Sequence, residues 1–286
     1  IFNPSFPYRI AHTVTAFYVT TAFVVIAVSA WHLRQRQHQP ESQRAMSMGL
    51  GLLMLLVPLQ IVLGDAHGLN TLEHQPVKVA AMEGLWQTQA HAPAVLFALP
   101  DATNETNRFE IAIPGLASLY LTHDVDGVVK GMKDFPRDDR PPVGIVFWAF
   151  RIMVGMGVLM LAVVAWGAWL RLRGLLFVSR PFLAVCNAMA PVGFIAVIAG
   201  WTVTEVGRQP WVVYGLMRTR DAVSPSLTGL DVVLSLALYV LVYAVIFSAG
   251  LYYLVRVARA GPPSEVEAHD AKLSERPARP LSAADA

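Results

Sequence analysis

"VGIVFWAFRIMVGMGVLMLAVVAWGAWL", Val143–Leu170, carries a single charged side chain, Arg151. A run this long and apolar is what a hydrocarbon layer of roughly 30 Å requires, at about 1.5 Å of rise per helical residue. Lipid offers the backbone no hydrogen-bond partners, so the stretch is predicted to be a helix that bonds internally. Four more runs share the pattern, at about Tyr8–Trp31, Ala45–Leu63, Phe182–Val203 and Val232–Val255. The fold class is therefore all-α: a polytopic membrane helix bundle of five transmembrane helices with one long outside loop. Pro58 predicts a kink in the second span, and Gly155 with Gly157 predict close packing of the third.

Composition agrees. Of 286 residues, 55% are hydrophobic and 15% charged, with a mean hydropathy of +0.48. A soluble domain could not bury so much apolar surface. A net charge of +2 without a basic-aromatic patch argues against nucleic acid as a partner. The lone Cys186, inside an apolar run, excludes a disulfide framework and a cysteine metal site. No initiator methionine, signal peptide or twin-arginine sequence is seen, and the opening at Ile1 reads as a fragment or a processed product.

Loop charges orient the spans. Arg34, Arg36 and Arg44 fill the first loop, Arg171, Arg173 and Arg180 the third, and Arg256 with Arg259 follow the last span. The positive-inside rule makes these ends cytoplasmic. Residues 1–64 then form the first two spans, 65–142 a periplasmic loop, 143–256 three further spans, and 257–286 a polar cytoplasmic tail expected to be disordered. In the fourth loop, outside by this topology, Arg208, Arg218 and Arg220 outnumber Glu205 and Asp221, which suggests a bound anion.

Ionisable groups inside spans are costly and mark candidate sites. His12, Arg151 and Glu205 all fall in the outer half of the membrane, with Met153 deeper. On spacing alone His12 is either an interhelical hydrogen bonder or a ligand, Met153 a packing residue or a ligand, and Glu205 a surface carboxylate or a functional one. Trp201, Glu205 and Arg208, spaced i, i+4, i+7, share a helix face and form a plausible cofactor wall. Arg151 and Met153, two apart, point to nearly opposite sides and so toward different neighbours. Imidazole with thioether is a known axial pair for haem iron that raises its potential. Above these spans, "GLNTLEHQPVKVAAMEGLWQTQ", Gly68–Gln89, puts Lys78 and Glu83 in the loop, either solvated on an amphipathic helix from Pro76 or placed for chemistry.

The stretches "AHTVTAFYVT", "LGDAHGLNTLEHQPVKVAAMEGLWQT", "FRIMVGMG" and "GWTVTEVGRQPW" together resemble subunit I of cytochrome bd quinol oxidases, in order from Ile1 to about Leu227. The compact loop is nearest the short quinol-loop, cyanide-insensitive type. The resemblance implies that His12 and Met153 are the axial ligands of a low-spin haem b and Glu205 the ligand of a high-spin haem b. It implies that Arg151, Trp201 and Arg208 line or bridge the haem sites, and that Lys78 and Glu83 act in quinol oxidation. There, Glu83 would accept a proton and Lys78 would stabilise developing quinolate charge.

Family members carry about four further spans before the position of Ile1, including the axial ligand of haem d, which this chain lacks. The implied role is the electron-input part of a terminal quinol oxidase in the bacterial inner membrane. Quinol is oxidised on the periplasmic side, and electrons pass through haem b and haem d to reduce dioxygen to water. The chain alone would not reduce oxygen. Implied partners are membrane lipid, quinol, subunit II and small accessory subunits. The rival readings are a non-catalytic haem-binding relay and a membrane transporter.

Overall fold

The computed structural model describes residues 3–262. Helix α1 spans Phe6–Gln35, α2 Gln39–His74, α3 Pro76–Glu83, α4 Leu116–Thr122, α5 Val143–Leu172, α6 Arg180–Ala188, α7 Val192–Gly207 and α8 Gly229–Ala260. Five helical stretches are long and apolar enough to cross a membrane: α1, α2, the stretch ending in α5, the α6–α7 pair, and α8. The result is a mostly helical membrane bundle, as the five apolar runs predicted.

The helices differ from the hydropathy reading at identifiable places. α2 does not stop near Leu63 but continues to His74, so Asp65, His67 and Asn70 are helical and belong to the span rather than the loop. Hydropathy falls at Gly64–Asp65, yet nothing there breaks a helix. The break comes at Gln75, whose φ of −140° and ψ of 61° leave the helical region, which is disfavoured before Pro76. The fourth span is two helices. Pro191 lacks an N–H and its ring blocks the carbonyl four residues back, so α6 ends at Ala188 and α7 starts afresh at Val192.

The described residues also hold two antiparallel hairpins that the apolar pattern did not announce. β1 (Ala94–Asp101) pairs with β2 (Thr106–Ile113) in the long loop, with register shifts on either side of Phe97. β3 (Trp211–Val213) pairs with β4 (Met217–Arg218) after α7.

α1 packs on α2, α6 and α7, while α5 packs on α7 and α2. α2 and α7 therefore separate α1 from α5, which face one another diagonally. The half of the bundle away from the long loop is filled by Phe23, Ile26, Leu50, Leu53, Met160, Val163 and Phe182. Close packing rests on Gly49 and Gly193, where an added Cβ would come within 2.7 Å of Ile26 Cγ2 and 2.6 Å of Thr20 Cα. It does not rest on Gly155 or Gly157, which have nothing within 4 Å of that position. α8 opens with a capping box, Thr228 with Asp231, and none of its residues is buried. It runs to Ala260, so the expected tail begins later than residue 257. The rest of that tail, 263–286, lies outside the described residues.

Candidate functional site

Lys78 and Glu83 sit on α3, which is not a solvated surface helix. Every residue from Val77 to Glu83 is buried, with Lys78 4% and Glu83 1% exposed. Gly84 ends the helix with φ 70°, and a Cβ there would press within 3.1 Å of the Phe147 ring. The turn therefore needs glycine for both its backbone and its space.

A charge so deeply buried requires a partner. Glu83 has Arg151, whose Nη2 donates to Oε2 at 2.8 Å. The same guanidinium donates through Nε to the carbonyl of Val95 on β1 and lies 4.8 Å from the Phe147 ring centroid and 5.2 Å from that of Phe150. Tyr120 on α4 lies near Glu83; burial first, then the nearby carboxylate, hold its phenol far above the usual range. Trp86 Nε1 donates to Asn107 Oδ1 at 2.9 Å, and Asn107 Nδ2 donates to the carbonyl of Gly84 at 2.9 Å. The hairpin is thus stitched to the end of α3.

Lys78 turns toward α7, where its stem lies along Gly207; a Cβ there would be 3.2 Å from Lys78 Cγ. Burial first, then the charge of Arg9, lowers its ammonium to about 8; Arg208 acts the same way and Glu205 opposes. Arg9, Lys78 and Arg208 form a cationic group with one carboxylate among them. Arg9 Nε is buried with no partner among the described residues.

His12 faces α2. Gln60 Nε2 lies 3.1 Å from its Nε2 and 3.2 Å from its Nδ1, and the His67 ring centroid is 5.8 Å away. Met153 faces α7, with Sδ 3.1 Å from where a Gly200 side chain would begin. The two sit on the diagonal helices. Glu205 accepts from Arg208 Nε at 2.7 Å, with its side chain 63% exposed, and Trp201 on the same face is 59% exposed. The expected face of Trp201, Glu205 and Arg208 exists, and it is open.

The sequence model described as "Cytochrome bd terminal oxidase subunit I" matches residues 1–262. The chain belongs to the cytochrome bd oxidase subunit I family. Over 292 aligned residues it is 33% identical to "Cytochrome bd ubiquinol oxidase subunit 1" of Bacillus subtilis, covering 97% of this chain and 61% of that protein. It is 31% identical to "Cytochrome bd-II ubiquinol oxidase subunit 1" of Escherichia coli, covering 92% of this chain and 64% of the relative. The solved bd oxidase of Geobacillus thermodenitrificans superposes with a TM-score of 0.81 at 30% identity, covering 91% of this chain and 59% of that one. The chain thus spans about three-fifths of the length of the bd subunits it matches.

Two relationships in this subunit I chain went unseen in the sequence. Arg151, expected beside haem, has its guanidinium committed to Glu83 and Val95. Arg9, Gln60, His67 and Tyr120 join the site unannounced. Arg9 lies one turn before His12 and His67 lies within a quoted motif, so both could have been found by helical spacing. Tyr120 gave no signal. Each arginine of the fourth loop has a carboxylate beside it: Arg208 pairs with Glu205, Arg218 with Asp139, and Arg220 lies 3.5 Å from Asp221.

Proposed function

We propose that this chain is the quinol-oxidising part of a terminal oxidase, with Lys78 and Glu83 as its reactive pair. The observation that carries the reading is the burial of Glu83 against Arg151, beneath a loop hairpin and beside the membrane spans. Quinol loses two electrons and two protons on becoming quinone. Glu83 is the proton acceptor, held in one orientation by Arg151, with Tyr120 nearby. Lys78, a cation on the same short helix, stabilises negative charge developing on the hydroxyl oxygen. Fixed donors in a dry site cost no reorganisation when that charge appears.

The ligand residues fit haem. The His12 ring lies beside the neutral Gln60 amide and a second imidazole, His67, which suits a neutral nitrogen ligand. The Met153 thioether lies against a glycine, and the partnerless Arg9 Nε with Lys78 and Arg208 suits carboxylate side arms. His12 and Met153 would hold a low-spin haem b and Glu205 a high-spin haem b, with Arg151, Trp201 and Arg208 around them. Haem, when bound, supplies one-electron redox chemistry.

The arginine-rich loops favour a bacterial inner-membrane protein with the long loop periplasmic and the tail cytoplasmic. The oxygen-reducing complex would further include haem d, subunit II and small accessory subunits. The open wall at Trp201 and Glu205 leaves room for such neighbours. The test is Glu83→Gln in the complete oxidase. Quinol turnover should fall by about 10²-fold or more, as for loss of a general base, with haem spectra intact. Unchanged turnover would refute the assignment.

A further inference from the structure

We infer that the β1–β2 hairpin is an interfacial anchor whose outer face rests in the headgroup–acyl boundary of the bilayer, beside the end of the third span where α5 begins. The inference rests on α5 crossing the membrane, and not on the quinol reading.

The hairpin has two apolar faces. Val95, Ala98 and Ala112 pack inward on Phe147 of α5. Leu96, Phe97, Leu99, Phe109, Ile111 and Ile113 face outward, each between 41% and 77% exposed. The register shifts around Phe97 let Leu96 and Phe97 both turn out. Glu110, between Phe109 and Ile111, turns the other way, and its Oε2 accepts from Asn107 Nδ2 at 2.7 Å. The outward face therefore carries six large apolar side chains that water does not favour.

A contact with the span fixes the level of this face. Phe97 meets Trp148 edge to face, with centroids 5.2 Å apart and planes at 79°. Trp148 is five residues into α5, about 8 Å along the axis at about 1.5 Å per residue. Tryptophan is enriched where spans meet the membrane–water interface, and Trp148 lies near the start of this one. Ile145 and Ile152, three before and four after Trp148, are exposed on the same stripe of α5. The hairpin thus extends an apolar surface that already belongs to a membrane span.

Polarity also changes along the hairpin. Phe97 pairs with Ile111 next to Trp148, whereas the far end is Asp101 paired with Thr106, with Arg108 bonded to Asp101. A gradient from apolar to charged within a few residues matches the gradient from acyl chains to water.

The test uses the intact oxidase in phosphatidylcholine–phosphatidylglycerol vesicles. Phe109→Cys, Ile111→Cys and, as a tip control, Thr103→Cys are labelled with bimane; Cys186 is buried. Lipid carrying a nitroxide near its headgroup should quench labels at 109 and 111 several-fold more than at 103, and aqueous iodide should show the reverse order. Iodide quenching at 109 and 111 equal to that at 103 would overturn the inference. Shielding of 109 and 111 from both quenchers would overturn it too, by showing a protein cover. Two independent outer-face positions keep the test decisive if one variant fails to assemble.

Discussion

Glu83 and Arg151, 68 positions apart in the chain, meet at 2.8 Å with the carboxylate almost wholly buried, and so lock a loop helix onto a membrane span. Removing one member strands the other. Arg151→Leu should cost about 3–5 kcal/mol, as for breaking a buried pair by deleting one partner. Arg151→Lys should cost less but not nothing, because one ammonium cannot match the fork that serves both Glu83 and Val95. Thermal denaturation of the purified protein measures both, and equal melting temperatures across the series would contradict the pairing.

The ligand assignment makes a spectral prediction. His12→Ala and Met153→Leu should each disturb the low-spin haem band in a reduced-minus-oxidised spectrum while the protein still inserts into membranes. Two unaltered spectra would remove both residues from the iron.

Lys78 links stability to pH. Its ordinary value of 10.5 in the unfolded chain falls to about 8 on burial. Between those values the unfolded state binds more protons, so stability should rise as pH increases from about 8 to about 10.5. The gain should be flattened by Lys78→Met, measured as melting temperature against pH on haem-depleted protein. A bound anion among Arg9, Lys78 and Arg208 would raise the ammonium again and shrink the slope. A slope that survives Lys78→Met would assign the effect to another group.

Glycines divide by what they touch. Gly193→Val must push against Thr20 backbone and should destabilise the bundle by about 1–3 kcal/mol, the usual cost of overpacking. Gly155→Ala meets nothing within the chain and should leave its stability unchanged or raise it by up to about 1 kcal/mol. The comparison is read from melting curves of the two variants side by side.

The spans were legible because lipid imposes one rule on every residue within them, and Val143–Leu170 obeys it with a single exception. The exception, Arg151, was recognised as special, but its partner was not, since Glu83 lies in a different element and only tertiary packing joins them. That Glu205 and Arg208 share a helix face was legible through spacing, whereas their pairing with one another was not. The end of α2 was misplaced because hydropathy reports lipid contact and not backbone conformation, which persists until Pro76 forces a stop. The hairpin escaped notice for a related reason. Its strands are bulged, so Leu96 and Phe97 break the alternation that marks a strand.

The interruption at Pro191 makes the fourth span a jointed pair of rods rather than one rigid shaft. The joint is pinned from α1, by Gly193 against Thr20 and by Asn187, whose amide donates to the carbonyl of Ala27 at 3.4 Å. A one-residue deletion in the upper rod beyond Gly193 would swivel Trp201, Glu205 and Arg208 by about 100° without unseating Phe182 or Cys186 below. Orientation of the carboxylate wall and anchorage of the half of the bundle away from the long loop are thereby mechanically independent.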